Sequence, residues 1–132
     1  MPLSRPTRVE LDRTFVQDDF DAFADLSGDD NPIHVDHAFS ASTRFGRTVS
    51  HGVLLYTVLR GLCDRLLPGC GQVEQALKFT APTYANEPMR FTATVTDDTG
   101  DGMVVALEVV RIADGVITCS GETRLTAPEA SP

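Results

Sequence analysis

The sequence predicts an α+β fold in which a curved antiparallel sheet wraps around one long central helix. A long apolar run in the middle of the chain has helical periodicity, and the segments after Gly71 alternate polar and apolar residues as half-buried strands do. The chain has 132 residues, which is enough for one hydrophobic core. We therefore expect a single domain over residues 1–132, with residues 126–132 forming a loose tail.

The first third of the chain predicts one strand followed by short helices. Residues 7–16 alternate polar and apolar residues, which indicates a strand. Asp18 or Asp19 is then placed to cap a short helix, and Asp36 is placed to cap another over residues 36–43.

The long helix is predicted over residues 52–67. Ser50 is its expected N-cap, and the Pro68-Gly69 pair marks its end. Apolar residues cover so much of its circumference that the surrounding structure must bury it.

The remainder of the chain reads as antiparallel strands. They are predicted over residues 75–81, 89–96, 103–112 and 116–125. Asp114-Gly115 predicts a two-residue hairpin between the last two strands. A curved sheet of this kind leaves an unpaired edge, so we expect two copies of the chain to pair as a homodimer.

Composition excludes several classes of partner. Eleven basic residues stand against nineteen acidic ones, for a net charge of −8, which opposes binding to nucleic acids or to anionic membranes. The three cysteines, Cys63, Cys70 and Cys119, are too few and too scattered for a disulfide framework. Charged residues interrupt the longest apolar run, and the N-terminus lacks a leader pattern. We expect a cytoplasmic protein with free thiols.

The residues with the clearest chemical potential lie close together in the chain. All three histidines, His34, His37 and His51, are found between positions 34 and 51, and Asp29 precedes them in a turn-forming segment. Histidine exchanges protons near neutral pH, and a helix N-terminus at Gly52 offers free N–H groups to a negative charge. This stretch therefore contains candidates for a base, an acid and an oxyanion site.

These residues also carry a family resemblance. The matching positions are Phe23, Ser27-Gly28-Asp29, Asn31-Pro32-Ile33-His34, Asp36, Ser40, Phe45-Gly46 and His51-Gly52. In this pattern the chain resembles the MaoC-like, or hydratase-2, family of (R)-specific enoyl-CoA hydratases. The resemblance implies a hotdog fold, a homodimer, and reversible hydration of trans-2-enoyl thioesters to (R)-3-hydroxyacyl thioesters.

The resemblance also implies roles for individual residues. Asp29 and His34 would hold one water and share the acid–base steps, while the backbone N–H of Gly52 would bind the thioester oxygen. The supporting residues would be Asn31, Ser50 and His51. The reaction calls for no cofactor, and the acyl carrier is coenzyme A or an acyl carrier protein.

The substrate-binding residues are less sharply indicated. Leu54 and Tyr56 are candidates for the acyl pocket. The candidates for contacts with the phosphates of coenzyme A are Arg44, Arg47, Lys78 and Arg90.

Three other readings remain open at this point. A zinc site built from His34, Asp36 and His37 lacks a further strong ligand, so we expect no metal. A hotdog thioesterase would need a carboxylate on the central helix, where only Asp64 is present. The third reading is a non-catalytic acyl-binding subunit of a heterodimer.

Overall fold

The computed structural model describes residues 6–128. The elements in chain order are β1 (Arg8–Thr14), α1 (Gln17–Ser27), α2 (Pro32–Val35), α3 (His37–Ala41), α4 (Gly52–Leu66), β2 (Gly71–Phe79), β3 (Pro88–Asp98), β4 (Gly102–Arg111) and β5 (Ile117–Thr126). This order confirms the predicted α+β class.

The five strands form one antiparallel sheet in the order β1-β3-β4-β5-β2. Helix α4 packs on one face of this sheet, chiefly against β3 and β1. Its buried residues are Leu55, Leu59, Leu62, Cys63 and Leu66. They meet alternate residues of the strands, such as Phe91 and Val105, which are fully buried. The expected arrangement of a sheet around one central helix is therefore confirmed.

Two of the three predicted helix caps are wrong. The N-cap of α4 is His51, and Ser50 instead donates its hydroxyl to the His51 carbonyl at 2.9 Å. The N-cap of α1 is Val16, whose N–H donates to the Asp19 carboxylate at 2.9 Å. Asp36 does cap α3, because its carboxylate accepts the N–H of Phe39 at 3.0 Å.

The connection between β4 and β5 differs from the predicted two-residue turn. It contains residues 112–116, and Arg111 closes it by donating its N–H to the Val116 carbonyl at 2.8 Å. Gly115 has a φ of 73° and donates its N–H to the Arg111 carbonyl at 2.8 Å. The glycine thus supplies a left-handed residue within a longer loop.

The start of the predicted loose tail, residues 126–132, is held to neighbouring backbone. Thr126 is the last residue of β5 and pairs with both Gly71 and Gly102. The next residue, Ala127, donates its N–H to the Asp101 carbonyl at 2.8 Å. Residues 129–132 of that predicted tail lie outside the described residues.

The three cysteines are buried free thiols. Burial raises the pKa of Cys63 and of Cys119 to about 11, so these groups stay protonated at neutral pH.

Between residues 6 and 128, no helix combines the length and the apolar character needed to cross a membrane. The cytoplasmic location stays a prediction.

Candidate active site

Asp29 is delivered by a tight turn at the end of α1. Gly28 adopts a left-handed conformation with a φ of 80° and donates its N–H to the Ala24 carbonyl at 2.9 Å. A residue with a Cβ is strained in this conformation, so glycine suits the turn. Asp29 then donates its N–H to the hydroxyl of Ser27 at 3.1 Å. Its carboxylate is 57% exposed and is therefore open to a ligand.

His34 is carried by the single-turn helix α2. The side chain of Asn31 caps this helix by accepting the N–H of Ile33 at 3.2 Å, and Pro32 occupies the first helical position. The buried hydroxyl of Ser40 closes the other end by donating to the carbonyls of Pro32 and Ile33. Asn31 therefore supports the turn that leads from Asp29 to His34.

The ring of His34 is held in one orientation. Its Nδ1 lies 2.8 Å from the carbonyl oxygen of Val49, and a carbonyl can only accept. Nδ1 therefore carries a hydrogen, and in the neutral form of the ring Nε2 has a free lone pair. The whole residue is 8% exposed, and the N–H of Val49 also donates to the Ile33 carbonyl at 2.9 Å.

The Asp29 carboxylate and His34 Nε2 face each other across a gap. Asp29 Oδ2 lies 3.9 Å from His34 Nε2, which is too long for a direct hydrogen bond. A water oxygen placed about 2.8 Å from each of these two atoms would bond to both, and the two hydrogen bonds would be about 90° apart. The gap therefore suits a single water that contacts both groups.

His51 joins the parts of this site. Its Nε2 lies 2.8 Å from the carbonyl oxygen of Asp29, so this nitrogen carries the hydrogen. Its ring stacks on His34 with a centroid distance of 3.8 Å and an interplanar angle of 22°, and Phe23 packs edge-on at 4.9 Å. The sequence predicted that His51 supports the site, but it did not predict these contacts.

Gly52 begins α4 immediately after His51. Its N–H belongs to the first helical turn, where no preceding helical carbonyl is available as a partner. A Cβ at this position would come within 2.9 Å of the Phe79 ring. A larger residue here would therefore force the Phe79 ring to move.

A cavity of about 630 Å³ opens beside Gly52. Its lining residues are Arg44, Phe45, Val49, Ser50, Gly52, Leu55, Phe79, Thr80, Ala81, Pro82, Thr83 and Tyr84. Asp29 and His34 do not line it. His51 connects Asp29 and His34 to the cavity. It contacts both residues, and the next residue in the chain, Gly52, lines the cavity. The sequence reasoning missed the aromatic walls, which come from three separate segments.

Neither of the two predicted acyl-pocket residues, Leu54 and Tyr56, lines this cavity. Leu54 lines a separate groove of about 300 Å³ together with Phe23. The hydroxyl of Tyr56 donates to the side chain of Gln72. Their role in binding an acyl chain stays a prediction.

The four predicted phosphate ligands are Arg44, Arg47, Lys78 and Arg90. Arg44 lines the cavity. Arg47 forms an ion pair with Glu87, and Arg90 forms one with Asp12 at 2.8 Å. Lys78 is exposed on β2 and does not line the cavity. Of the four, only Arg44 is brought to the cavity.

Asp29, His34 and His51 are also the residues that would hold a metal. Their ligand atoms lie within 4.8 Å of one another. The Nδ1 of His34 and the Nε2 of His51 are already hydrogen-bonded to backbone carbonyl oxygens. The other predicted ligands are not part of this cluster, because Asp36 caps α3 and His37 is exposed. The expectation that the protein holds no metal stays a prediction.

A central helix held by an antiparallel sheet, with an Asp–His pair beside its N-terminus, defines a hotdog-fold protein of the hydratase and dehydratase class. The chain belongs to the MaoC-like domain family, whose model matches residues 2–117.

Relatives agree with this assignment over nearly the whole chain. An (R)-specific enoyl-CoA hydratase of Aeromonas caviae is 32% identical and covers 92% of each chain. The enzyme of the same name from Rhodospirillum rubrum is 31% identical over 91% of this chain and 85% of that one. Among solved structures, the (R)-hydratase from A. caviae involved in PHA biosynthesis matches with a TM-score of 0.86 and 30% identity, covering 96% of this chain and 98% of its own.

We predict that nitrogen-15 NMR at pH 9 will show His34 with its proton on Nδ1 and a bare Nε2. At this pH an imidazole is ordinarily neutral, so the hydrogen bond to Val49 selects the tautomer. His37 is exposed and serves as the internal control, with both tautomers populated. A His34 proton on Nε2 would contradict the described geometry.

Proposed function

We propose that this protein reversibly hydrates trans-2-enoyl thioesters to (R)-3-hydroxyacyl thioesters. The observation that carries the proposal is the pair formed by Asp29 Oδ2 and His34 Nε2, 3.9 Å apart with the tautomer of His34 set by Val49. The printed names of the A. caviae and R. rubrum relatives support the same reaction.

The proposed chemistry uses the Asp–His pair as one acid–base unit. A water bound between the two groups gives a proton to the pair while its oxygen bonds to C3 of the substrate. The electrons of the C2–C3 double bond move toward the thioester carbonyl, and the pair then returns a proton to C2. Such proton transfer is typically worth about 10²–10⁴-fold in rate. The pair ends in its initial protonation state, which makes the reverse dehydration equally accessible.

The thioester oxygen gains negative charge as the enolate forms. We propose that the N–H of Gly52 donates to this oxygen, supported by the dipole of the 15-residue helix α4. One such donor is typically worth about 3–4 kcal/mol in the transition state. The cavity beside Gly52 gives the carrier end of the thioester a route to this amide.

The structure gives no support to hydrolysis by the carboxylate of the central helix. Asp64 lies twelve residues after Gly52, which is about 18 Å along the helix. It is exposed and is paired with Arg60 at 3.4 Å. A non-catalytic subunit would have no use for an Asp29 and a His34 held face to face.

We also propose that the active form is a homodimer that pairs along β2. Among residues 6–128, this strand has a paired neighbour on one side only, β5. Val73 on β2 is 66% exposed, Phe79 at its end is 51% exposed, and Val53 on the adjoining turn of α4 is 59% exposed. An unpaired edge with apolar side chains favours pairing with another strand. A second copy placed there would also cover the exposed side of the cavity at Phe79.

We predict that Val73→Glu will shift the protein from dimer to monomer in sedimentation experiments and will lower turnover. The buried charge would oppose pairing along the edge. Thr14→Glu places the same charge on the opposite edge strand, β1, and should leave the dimer intact. A wild-type protein that sediments as a monomer at full activity would contradict the proposal.

We predict that Asp29→Asn and His34→Ala will each lower kcat by roughly 10²–10⁴-fold. Enoyl-thioester absorbance measures turnover, and chromatography of the product measures its stereochemistry. The unfolding temperature of Asp29→Asn should stay close to that of the wild type, because the carboxylate is mostly exposed.

His37→Ala is the matched control for the loss of an imidazole, since His37 is exposed. It should retain wild-type turnover. Thiol release without hydration would indicate a thioesterase instead. Full activity of the Asp29 and His34 variants would remove the basis of the proposed mechanism.

We further propose that His51 positions Asp29 through the hydrogen bond to its carbonyl. His51→Phe keeps an aromatic ring against His34 but lacks the donor, whereas His51→Gln keeps an amide N–H able to reach Asp29. We predict that His51→Phe lowers kcat roughly ten- to a hundredfold with little change in KM. His51→Gln should recover most of that loss.

Steady-state kinetics of the two His51 variants, together with their thermal unfolding, test this role. Equal loss of kcat in both variants would show that stacking on His34, and not the donor, is what matters. An effect confined to KM would likewise contradict a positioning role.

A further inference from the structure

A further groove lies between helix α4 and the edge strand β1, and it shares no lining residue with the cavity beside Gly52. This outer groove has a volume of about 330 Å³, which is at the lower end of the range for small-molecule sites. Within the described part of the chain, the only charged residues that line it are Arg13 on β1 and Arg65 on α4. The outer groove is therefore a locally cationic site.

Neither arginine is neutralised by an acidic side chain. Among residues 6–128, Arg13 and Arg65 form no ion pair, and both are exposed. The net charge of the chain is −8, so acidic partners are plentiful elsewhere on its surface. Each guanidinium can donate two parallel N–H bonds to one carboxylate, so two of them on one groove suit an anionic ligand.

The wall formed by α4 has a gap at its centre. Thr57, Gly61 and Arg65 follow one another at intervals of four residues and form one row along the helix. Val58 and Leu62 form the row beside it. A helical side chain leans over the preceding turn, which directs Arg65 toward Gly61. The space above Gly61 is thus next to a cation.

Packing does not explain why this position is a glycine. A Cβ at Gly61 would meet no other part of the described chain within 4 Å, so a larger residue would fit without a clash. Glycine in the interior of a helix is less stable than alanine, and Gly61 lies well inside α4. A ligand that approaches the helix at this point would account for the glycine.

The floor of the outer groove is apolar. It is formed by Leu11, Val58 and Leu62, and Leu62 is only 1% exposed. Arg13 lies on the same face of β1 as Leu11, because side chains alternate along a strand. Arg13, Thr57 and Val58 also line the groove of about 300 Å³ described above, so the two grooves adjoin.

The adjoining groove extends the apolar surface. It is lined by Phe23, Leu26 and Leu54, and Leu26 is 84% exposed. Asp19 is the only acidic residue in the described part of this lining, and its carboxylate accepts the N–H of Val16 at 2.9 Å. Two available cations are therefore followed by a strip of uncovered apolar side chains.

We propose that the outer groove binds a free carboxylate that carries an apolar chain. The carboxylate lies between the two arginines beside Gly61, and the chain extends toward Leu26. A small inorganic anion would leave the apolar floor uncovered, and a neutral lipid would leave both guanidinium groups without a partner. The site contains neither the acid–base pair nor the cavity beside Gly52, so it does not depend on the proposed function.

Calorimetric titration with octanoate tests the site. Octanol is the neutral probe of the same length, and acetate is the carboxylate without a chain. Octanoate should bind saturably and more tightly than either of them. For Arg13→Gln and Arg65→Gln, we expect the Kd of octanoate to rise roughly three- to tenfold each, as for partly exposed charge contacts. Arg44→Gln is the matched control and should leave this Kd unchanged, because Arg44 is equally exposed but lines the cavity beside Gly52.

Gly61→Leu tests the shape of the groove independently of charge. The new side chain should occupy the space of the ligand and weaken octanoate binding roughly tenfold or more, as a steric clash in a site does. Its unfolding temperature should equal or exceed that of the wild type, because leucine favours a helix more than glycine does. Unchanged octanoate affinity in this variant would place the ligand elsewhere on the protein.

Three further results would overturn the proposal. The first is the absence of saturable octanoate binding at millimolar concentration. The second is equal affinity for octanoate and octanol, because the arginines would then contribute nothing. The third is an octanoate affinity that Arg44→Gln lowers while Arg13→Gln and Arg65→Gln leave it intact. Binding is measured without turnover, so an enzyme that hydrates no thioester would remove the proposed function and leave this site in place.

Discussion

The hydrogen bond between His34 Nδ1 and the Val49 carbonyl is the interaction on which the site depends. It places an imidazole hydrogen on the side away from Asp29, so that in the neutral ring a lone pair faces the carboxylate. Val49 is itself fixed twice, by donating to Ile33 and by its bridge to Tyr84. One residue without a reactive side chain therefore sets the tautomer of the histidine and ties it to the cavity wall.

The sequence predicts the fold correctly where a single pattern of apolar residues repeats over a long segment. Helix α4 and strands β3, β4 and β5 follow simple repeats, because each buries a constant face against the same core. The errors fall at their ends. Ser50 has the chemistry of a cap, but Ser50 donates its N–H to Thr83, and this places His51 at the cap position. Tertiary contacts, which local propensity does not contain, decide such boundaries.

The sequence predicts the site only where its residues lie close together in the chain. Asp29, Asn31 and His34 are close in the chain, and a turn and a single helical turn suffice to bring them together. The cavity walls cannot be found in this way, because Phe45, Phe79 and Tyr84 come from loops and a strand that meet only after folding. The same is true of the stacking between His34 and His51, which requires α2 to lie against the start of α4.

The contact between Gly52 and Phe79 has a consequence for the evolution of this protein. The nearest atoms to a new methyl group at position 52 belong to the far end of one aromatic side chain, and none belongs to the backbone. Positions 52 and 79 are therefore epistatic. A larger residue at the start of the helix is accommodated when the ring moves aside or is exchanged for a smaller side chain, so each site constrains what the other can accept.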